Sequence, residues 1–192
     1  DKRLHRLISY LNCTEDYVQL CFVGDTPDKC KLAFFADASF AGDLQGSKST
    51  SGGHLFLVGP NTWVPICWLC KKQTAVSHSS SEAEIISLDA GMRLEGLPSL
   101  SLWDQVVEIF SPNSKKIGSP NPDRTQHPLL DLANVDYVPP SLPPMLGLAT
   151  LLLLEDNEAV IRMIIKGRTT TLRHVLRTHR IDLDWLFERF KE

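Results

Sequence analysis

The run "LATLLLLED" (residues 148–156) constrains the fold most. It is apolar without alternation and then turns abruptly acidic. A half-exposed strand alternates polar and apolar residues, whereas a strand covered on both faces does not. The run is therefore predicted to be a fully buried strand ending at Asp156. It follows segments of helical period, so a right-handed crossover should lay it parallel to an earlier strand. "KLAFFADASFAG" has the same form, apolar and then polar from Asp37. The expectation is a mixed sheet in which Asp37 and Asp156 end adjacent parallel strands.

The rest of the chain fits around that sheet. "YVQLCFVG" (Tyr17 to Gly24) reads as a strand closed by the turn "GDTPDK", and "SGGHLFLVG" and "TWVPICWLC" as two more joined by "GPN". Successive strands with short links imply an antiparallel meander. "KRLHRLISYL" spaces Leu4, Leu7, Ile8 and Leu11 as the apolar stripe of a helix. In "HSSSEAEIISLDAGMRLEGL", Ser79 to Ser81 cap a helix whose apolar face carries Ile85, Leu88, Met92 and Leu97. "SLSLWDQVVEIF" is a second helix, set off by Pro98. "NEAVIRMIIKG" is a helix closed by Gly167, and "RHVLRTHRIDLDWLFERF" is the last. Between residues 111 and 147 lie 8 of the 12 prolines, which marks an irregular surface insertion. Helices packed on a mixed sheet make an α/β class.

Composition excludes little. A net charge of −3 in 192 residues does not announce a nucleic-acid partner, although local basic surface can coexist with it. No apolar run approaches the roughly 18 residues of a membrane span. The five cysteines form no disulfide pattern and read as reduced thiols, with Cys67 and Cys70 buried in a strand. The opening residues are basic and amphipathic, unlike a secretory leader, and suit a piece of a larger polyprotein.

Three acids stand out by position: Asp37 and Asp156 at strand ends, and Glu82 at a helix start. Carboxylates so placed can converge, and clustered carboxylates stay ionised only with a cation. Oxygen donors of this kind select Mg²⁺ or Mn²⁺, and two such ions would suit phosphodiester hydrolysis. Position alone leaves turn capping and helix-dipole roles open for the same residues.

The surrounding words narrow the choice. "FFADASFAGD", "SKSTSGGHLFLVG", "CWLCKKQTAVSHSSSEAEIISL" and "LEDNEAVIRM" occur in this order. Together they resemble the RNase H region of copia-type (Pseudoviridae-like) LTR retrotransposon Pol polyproteins. The resemblance covers residues 2–110 and 148–190. It implies an RNase H-like fold, α/β with a mixed α+β sheet, here without its final edge strand and C-terminal helix. It divides the chain into a connecting helix (1–15), a first part of the domain (16–110), the Pro-rich insertion (111–147) and a second part (148–192). It implies hydrolysis of the RNA strand of RNA–DNA hybrids with two Mg²⁺ or Mn²⁺ ions, held by Asp37, Glu82 and Asp156 as catalytic carboxylates. Glu84, two residues on, is placed on the far side of the helix, and Asp43 and Asp89 at the surface. A fourth family carboxylate, from an Ala-Asp motif, has no counterpart in residues 1–192.

The same resemblance places Lys71, Lys72 and Gln73 near the hybrid, with the lysines on phosphates. Trp68 is read as a core residue, with base stacking as the alternative. From Arg162 to Arg180 there are six basic and no acidic residues, so Arg173 and Arg177 are candidates for a phosphate-tracking ridge. The expected partners are the hybrid and an upstream reverse transcriptase of the same polyprotein. The expected place is a cytoplasmic virus-like particle or the nucleus, with no membrane. Integrases, which share the broad fold, order their carboxylates Asp, Asp, Glu, unlike the order here. A truncated, catalytically inactive remnant is the main alternative.

Overall fold

The computed structural model describes residues 1–43, 45–111, 146–166 and 181–190. Its centre is a five-stranded mixed sheet. Strands β2 (Lys31–Ser39), β3 (Thr50–Gly59) and β4 (Thr62–Lys72) form the expected antiparallel meander, and β5 (Leu151–Leu154) pairs with β2 in parallel. A short β1 (Phe22–Val23) pairs with β4, giving the order β1-β4-β3-β2-β5. The meander register slips once, between Leu55 and Phe56, so β4 carries an extra residue at Ile66.

Two strand expectations are corrected. The strand foreseen from Tyr17 to Gly24 shrinks to Phe22 and Val23, because only these find partners, Trp63 and Thr62, across the ladder. Strand propensity alone does not make a strand. β5 is not fully buried either: Leu152 and Leu154 face solvent while Leu151 and Leu153 are half-buried. Among the described residues only β2 flanks it, and helices cover one face.

That covered face holds the core. Helix α2 (Ser80–Gly91) packs on β2 and β3, burying Ile85 and Leu88 against Leu32, Phe34 and Leu55. Each such side chain removed from water contributes roughly 1.5–3 kcal/mol. The closest approach is at Phe34. A methyl group added at Gly53 would lie 2.3 Å from its Cζ, and one at Gly91 2.2 Å away. Only glycine fits on either side of that ring.

Pro98 does not separate two helices as expected. α2 runs through a π-helical turn (Met92–Gly96) directly into α3 (Leu97–Phe110), and the proline falls in the first turn of α3, where its missing N–H does no harm. α4 (Glu158–Lys166) starts where the Asn157 side chain accepts the amides of Ala159 and Val160. The short α5 (Leu183–Arg189), capped by Asp182, closes the core with Leu186 and Phe187, and its Trp185 lies under the guanidinium of Arg93 at 3.6 Å. Helix α1 (Lys2–Cys13) forms as expected but buries none of its residues. Most of the 111–147 insertion, Gly167, and the start of the last predicted helix lie outside the described residues. No helix among the described residues is long and apolar enough to cross a membrane.

The return from α3 to β5 is fixed by one buried carboxylate. Asp104 accepts the backbone N–H groups of Leu146, Gly147 (3.0 Å), Leu148 (2.7 Å) and Ala149 (2.7 Å). Gly147 adopts φ 70°, a conformation that glycine takes without strain.

Candidate metal centre

The strand register carries Asp37 and Asp156 to the same place. Phe35 pairs with Leu154, the last residue of β5, and each Asp follows its strand partner by two residues, Asp37 still within β2 and Asp156 just past the end of β5. The third member comes from α2, and it is Glu84. One ligand oxygen each from Asp37, Glu84 and Asp156 lie within 4.8 Å of one another. Two residues apart on a helix means roughly 200° of rotation, so Glu82 and Glu84 cannot both face this point.

Glu82, the candidate from the sequence, is not part of this cluster, and it is bonded at the start of the helix. It is fully buried, with 0% exposure, and its carboxylate accepts the backbone N–H of His78 at 2.7 Å. Ser79 Oγ in turn accepts the amide of Glu82 at 3.1 Å. This is a variant of the reciprocal Ser-x-x-Glu capping arrangement. The signal was present in "SSSE", since the third helical position is the one that reaches back to the cap.

Glu84 is held in place from several sides. Only 7% of its surface is exposed. Ser87 Oγ, one turn along, lies 2.7 Å from the carbonyl oxygen of Asp37 and 3.0 Å from that of Gly52. Its single proton thus pins α2 to β2 and β3 beside the cluster. Burial, then the charges of Glu155, Asp37 and Asp156, push the Glu84 carboxyl up to about 7, against a bond from the Ala38 amide. Glu84 Oε2 is buried without a hydrogen-bond partner. A buried, unpartnered carboxylate oxygen among like charges fits a hard divalent cation, since oxygen donors and a net negative site are what Mg²⁺ and Mn²⁺ require.

The expected nucleic-acid residues divide. Lys71 is exposed near the centre: Asp37, Gly52 and Cys70 form one row across three strands, roughly 10 Å wide by strand spacing, and Lys71 follows Cys70. Lys72 is exposed and pairs with Asp43 at 2.5 Å, which holds the Asp43 carboxyl below its ordinary range. Gln73 is buried, 5% exposed, rather than at the surface. Its amide nitrogen donates to Ser51 Oγ and to the Ala83 carbonyl, and Ser77 donates to its oxygen. It thereby ties the end of β4 to β3 and α2. Arg173 and Arg177 lie outside the described residues.

Three further surface expectations change. Trp68 is 72% exposed on the open face of the sheet, opposite His54, because no helix among the described residues covers that side. Cys70 is also exposed, and Cys67 is half-buried with its thiol 3.1 Å from Glu95 Oε2. Asp89 is buried, not solvated, and is bonded by Arg93. All five cysteines are free thiols.

No protein-family model matches the chain, and no solved structure matches it. Over 86 residues it is 35% identical to a curated protein of Plasmopara viticola named "Secreted RxLR effector protein 161". The similarity covers 44% of this chain and 55% of that protein, so the chain spans about half the length of this curated relative.

Proposed function

We propose that this chain is an RNase H-like domain that hydrolyses the RNA strand of RNA–DNA hybrids, as part of a retrotransposon polyprotein during reverse transcription. The observation that carries the reading is the convergence of Asp37, Glu84 and Asp156 from two parallel strand ends and a covering helix, with an oxygen of Glu84 buried and unpartnered. The ordered copia-type motifs supply the specific reaction, and the mixed sheet with parallel β2 and β5 is consistent with the fold they imply.

In this reading Asp37, Glu84 and Asp156 hold divalent ions. When bound, such ions activate water and stabilise the leaving oxygen of a phosphodiester. The chain's own contribution is orientation. Ser87 fixes the helix carrying Glu84 against the strand carrying Asp37, and the parallel register aligns Asp37 with Asp156. In this reading the exposed Lys71 meets a phosphate of the hybrid, and 2′-hydroxyls and minor-groove shape distinguish hybrid from DNA duplex. The partners are the hybrid and an upstream reverse transcriptase, and the compartment is a cytoplasmic particle.

The test is cleavage of a labelled hybrid in Mg²⁺ and in Mn²⁺ by the wild type, Asp37→Asn and Glu84→Gln. Cleavage by the wild type and loss in both variants supports the reading. Equal cleavage by all three, or a preference for duplex DNA, refutes it. A second reading is a catalytically silent domain that at most binds nucleic acid, in keeping with the absence of a counterpart in residues 1–192 to the family's fourth carboxylate. Hybrid binding without cleavage in either metal would select it.

A further inference from the structure

The face of the sheet turned away from α2 carries a group of rings, and no helix among the described residues covers it. Strand alternation sets Phe35, His54 and Trp68 in one row across β2, β3 and β4, on the side opposite the buried Phe34 and Leu55. Phe56, on the same side, is the hub of a ring cluster. It meets Phe35 edge to face at 5.5 Å, His54 at 6.1 Å and Trp63 at 4.7 Å. Trp68 stands outside that cluster, with 72% of its surface exposed.

The surroundings of Trp68 match an unpaired nucleobase better than an apolar protein surface. An exposed indole stacks on the flat face of any base, whatever the sequence. The neighbours of Trp68 are polar and cationic. His54, exposed, is its partner across the ladder, and the exposed Lys71 and Lys72 follow three and four residues on, the second paired with Asp43. A nucleic-acid strand brings phosphates along with its bases, so a ring beside lysines meets both halves of its chemistry. The face also runs on toward the proposed centre. The row of Phe35, His54 and Trp68 adjoins the row of Asp37, Gly52 and Cys70, two residues further along the strands. Strand rise and spacing put Trp68 roughly 12 Å from Asp37. That is about three to four base steps along a strand. Bases within a duplex are already stacked on each other, so the occupant is single-stranded.

We propose that Trp68 is a stacking platform for unpaired nucleobases, so that a single-stranded extension of the hybrid lies over the open face of the sheet beside the metal centre. This rests on the hybrid as the partner in the proposed function, and adds to it a preference for hybrids with an unpaired tail. RNA and DNA bases offer the same stacking surface, and the two kinds of tail are separated by the test.

The test is fluorescence anisotropy of a labelled blunt hybrid and of the same hybrid with a short RNA or DNA tail, in metal-free buffer so that nothing is cleaved. In wild type at least one tail should tighten binding roughly tenfold, within the range for one stacked base. Trp68→Ala should bring tailed and blunt hybrids to the same affinity, and Trp68→Phe should keep part of the difference. Melting curves of the three proteins should overlay, because the side chain is exposed. Tailed and blunt hybrids bound equally by wild type would overturn the platform and leave the proposed hydrolysis standing. A tail preference retained in Trp68→Ala would overturn it in the same way. Self-association of wild type in sedimentation, abolished by Trp68→Ala, would make the face a contact between copies and sink the platform. A wild type that neither binds nor cleaves hybrid would overturn both the platform and the proposed function.

Discussion

Glu82 and Glu84, two positions apart on α2, diverge: the carboxylate of Glu82 bonds the His78 amide, and that of Glu84 joins Asp37 and Asp156. Their substitutions should therefore separate. Glu84→Gln should weaken Mn²⁺ binding by at least tenfold. Glu82→Gln, which keeps a capping oxygen, should bind Mn²⁺ as the wild type does, whereas Glu82→Ala should cost about 1 kcal/mol of stability with little change in metal affinity. Calorimetry and urea denaturation on the three variants check this. Metal loss in Glu82→Gln with retention in Glu84→Gln would reverse the assignment.

The Glu84 carboxyl gives metal-free stability a pH dependence. Its value rises from an ordinary 4.5 to about 7 in the folded chain. Between those values the folded state holds a proton that the unfolded state releases, so stability falls as pH rises through that window. The contribution is fully present below pH 4.5 and gone above about pH 7. The metal-free melting temperature should thus fall more steeply between pH 5 and pH 8 in wild type than in Glu84→Gln. Mg²⁺ should raise it more at pH 8 than at pH 5. Parallel melting curves for the two proteins would contradict the assignment.

Asp104 accepts four consecutive amides with one buried side chain. Asp104→Ala leaves those buried and part-buried donors without their acceptor, so a loss on the order of 3 kcal/mol is expected. Asp104→Asn retains one acceptor oxygen and should lose less. Because the segment so held leads into β5, both variants should also weaken Mn²⁺ binding through Asp156. Urea titrations and metal binding on the same samples test the coupling.

The cysteines should react unequally. Burial first, and then Glu95, push the Cys67 thiol up to about 11, while Cys13, Cys21 and Cys70 are exposed and Cys30 is buried. Since the thiolate is the nucleophile, iodoacetamide at pH 8 should modify the three exposed cysteines and spare Cys67 and Cys30. Glu95→Gln should speed labelling at Cys67. Mass spectrometry of peptides resolves each site.

The sheet was legible because its signals are local and repeated. Two apolar runs ending in Asp predicted the β2–β5 pairing, and the turns predicted the meander. What stayed hidden depended on contacts far apart in sequence. Trp68 and Cys70 read as core residues because their strand is apolar, but burial also needs a layer on that side. Gln73 resembled a surface contact because its partners, Ser51 and Ala83, come from elsewhere in the chain. Glu82 was chosen over Glu84 by family pattern, although the capping rule applied to Ser79 would have separated them. Nothing local marks Asp104 as the acceptor for residues 146–149.

The ring of Phe34 works as a spacer between the helix and the sheet. Its tip touches Gly91 on α2 and Gly53 on β3, where no side chain can be inserted. The gap between helix and strands is therefore gauged by one aromatic ring, about two turns from Glu84. A flatter or shorter residue would let the layers settle together, and a bulkier one would wedge them apart. Either change alters the span between the three carboxylates, so the tolerance of the proposed metal centre at the sheet's end is set in the apolar interior.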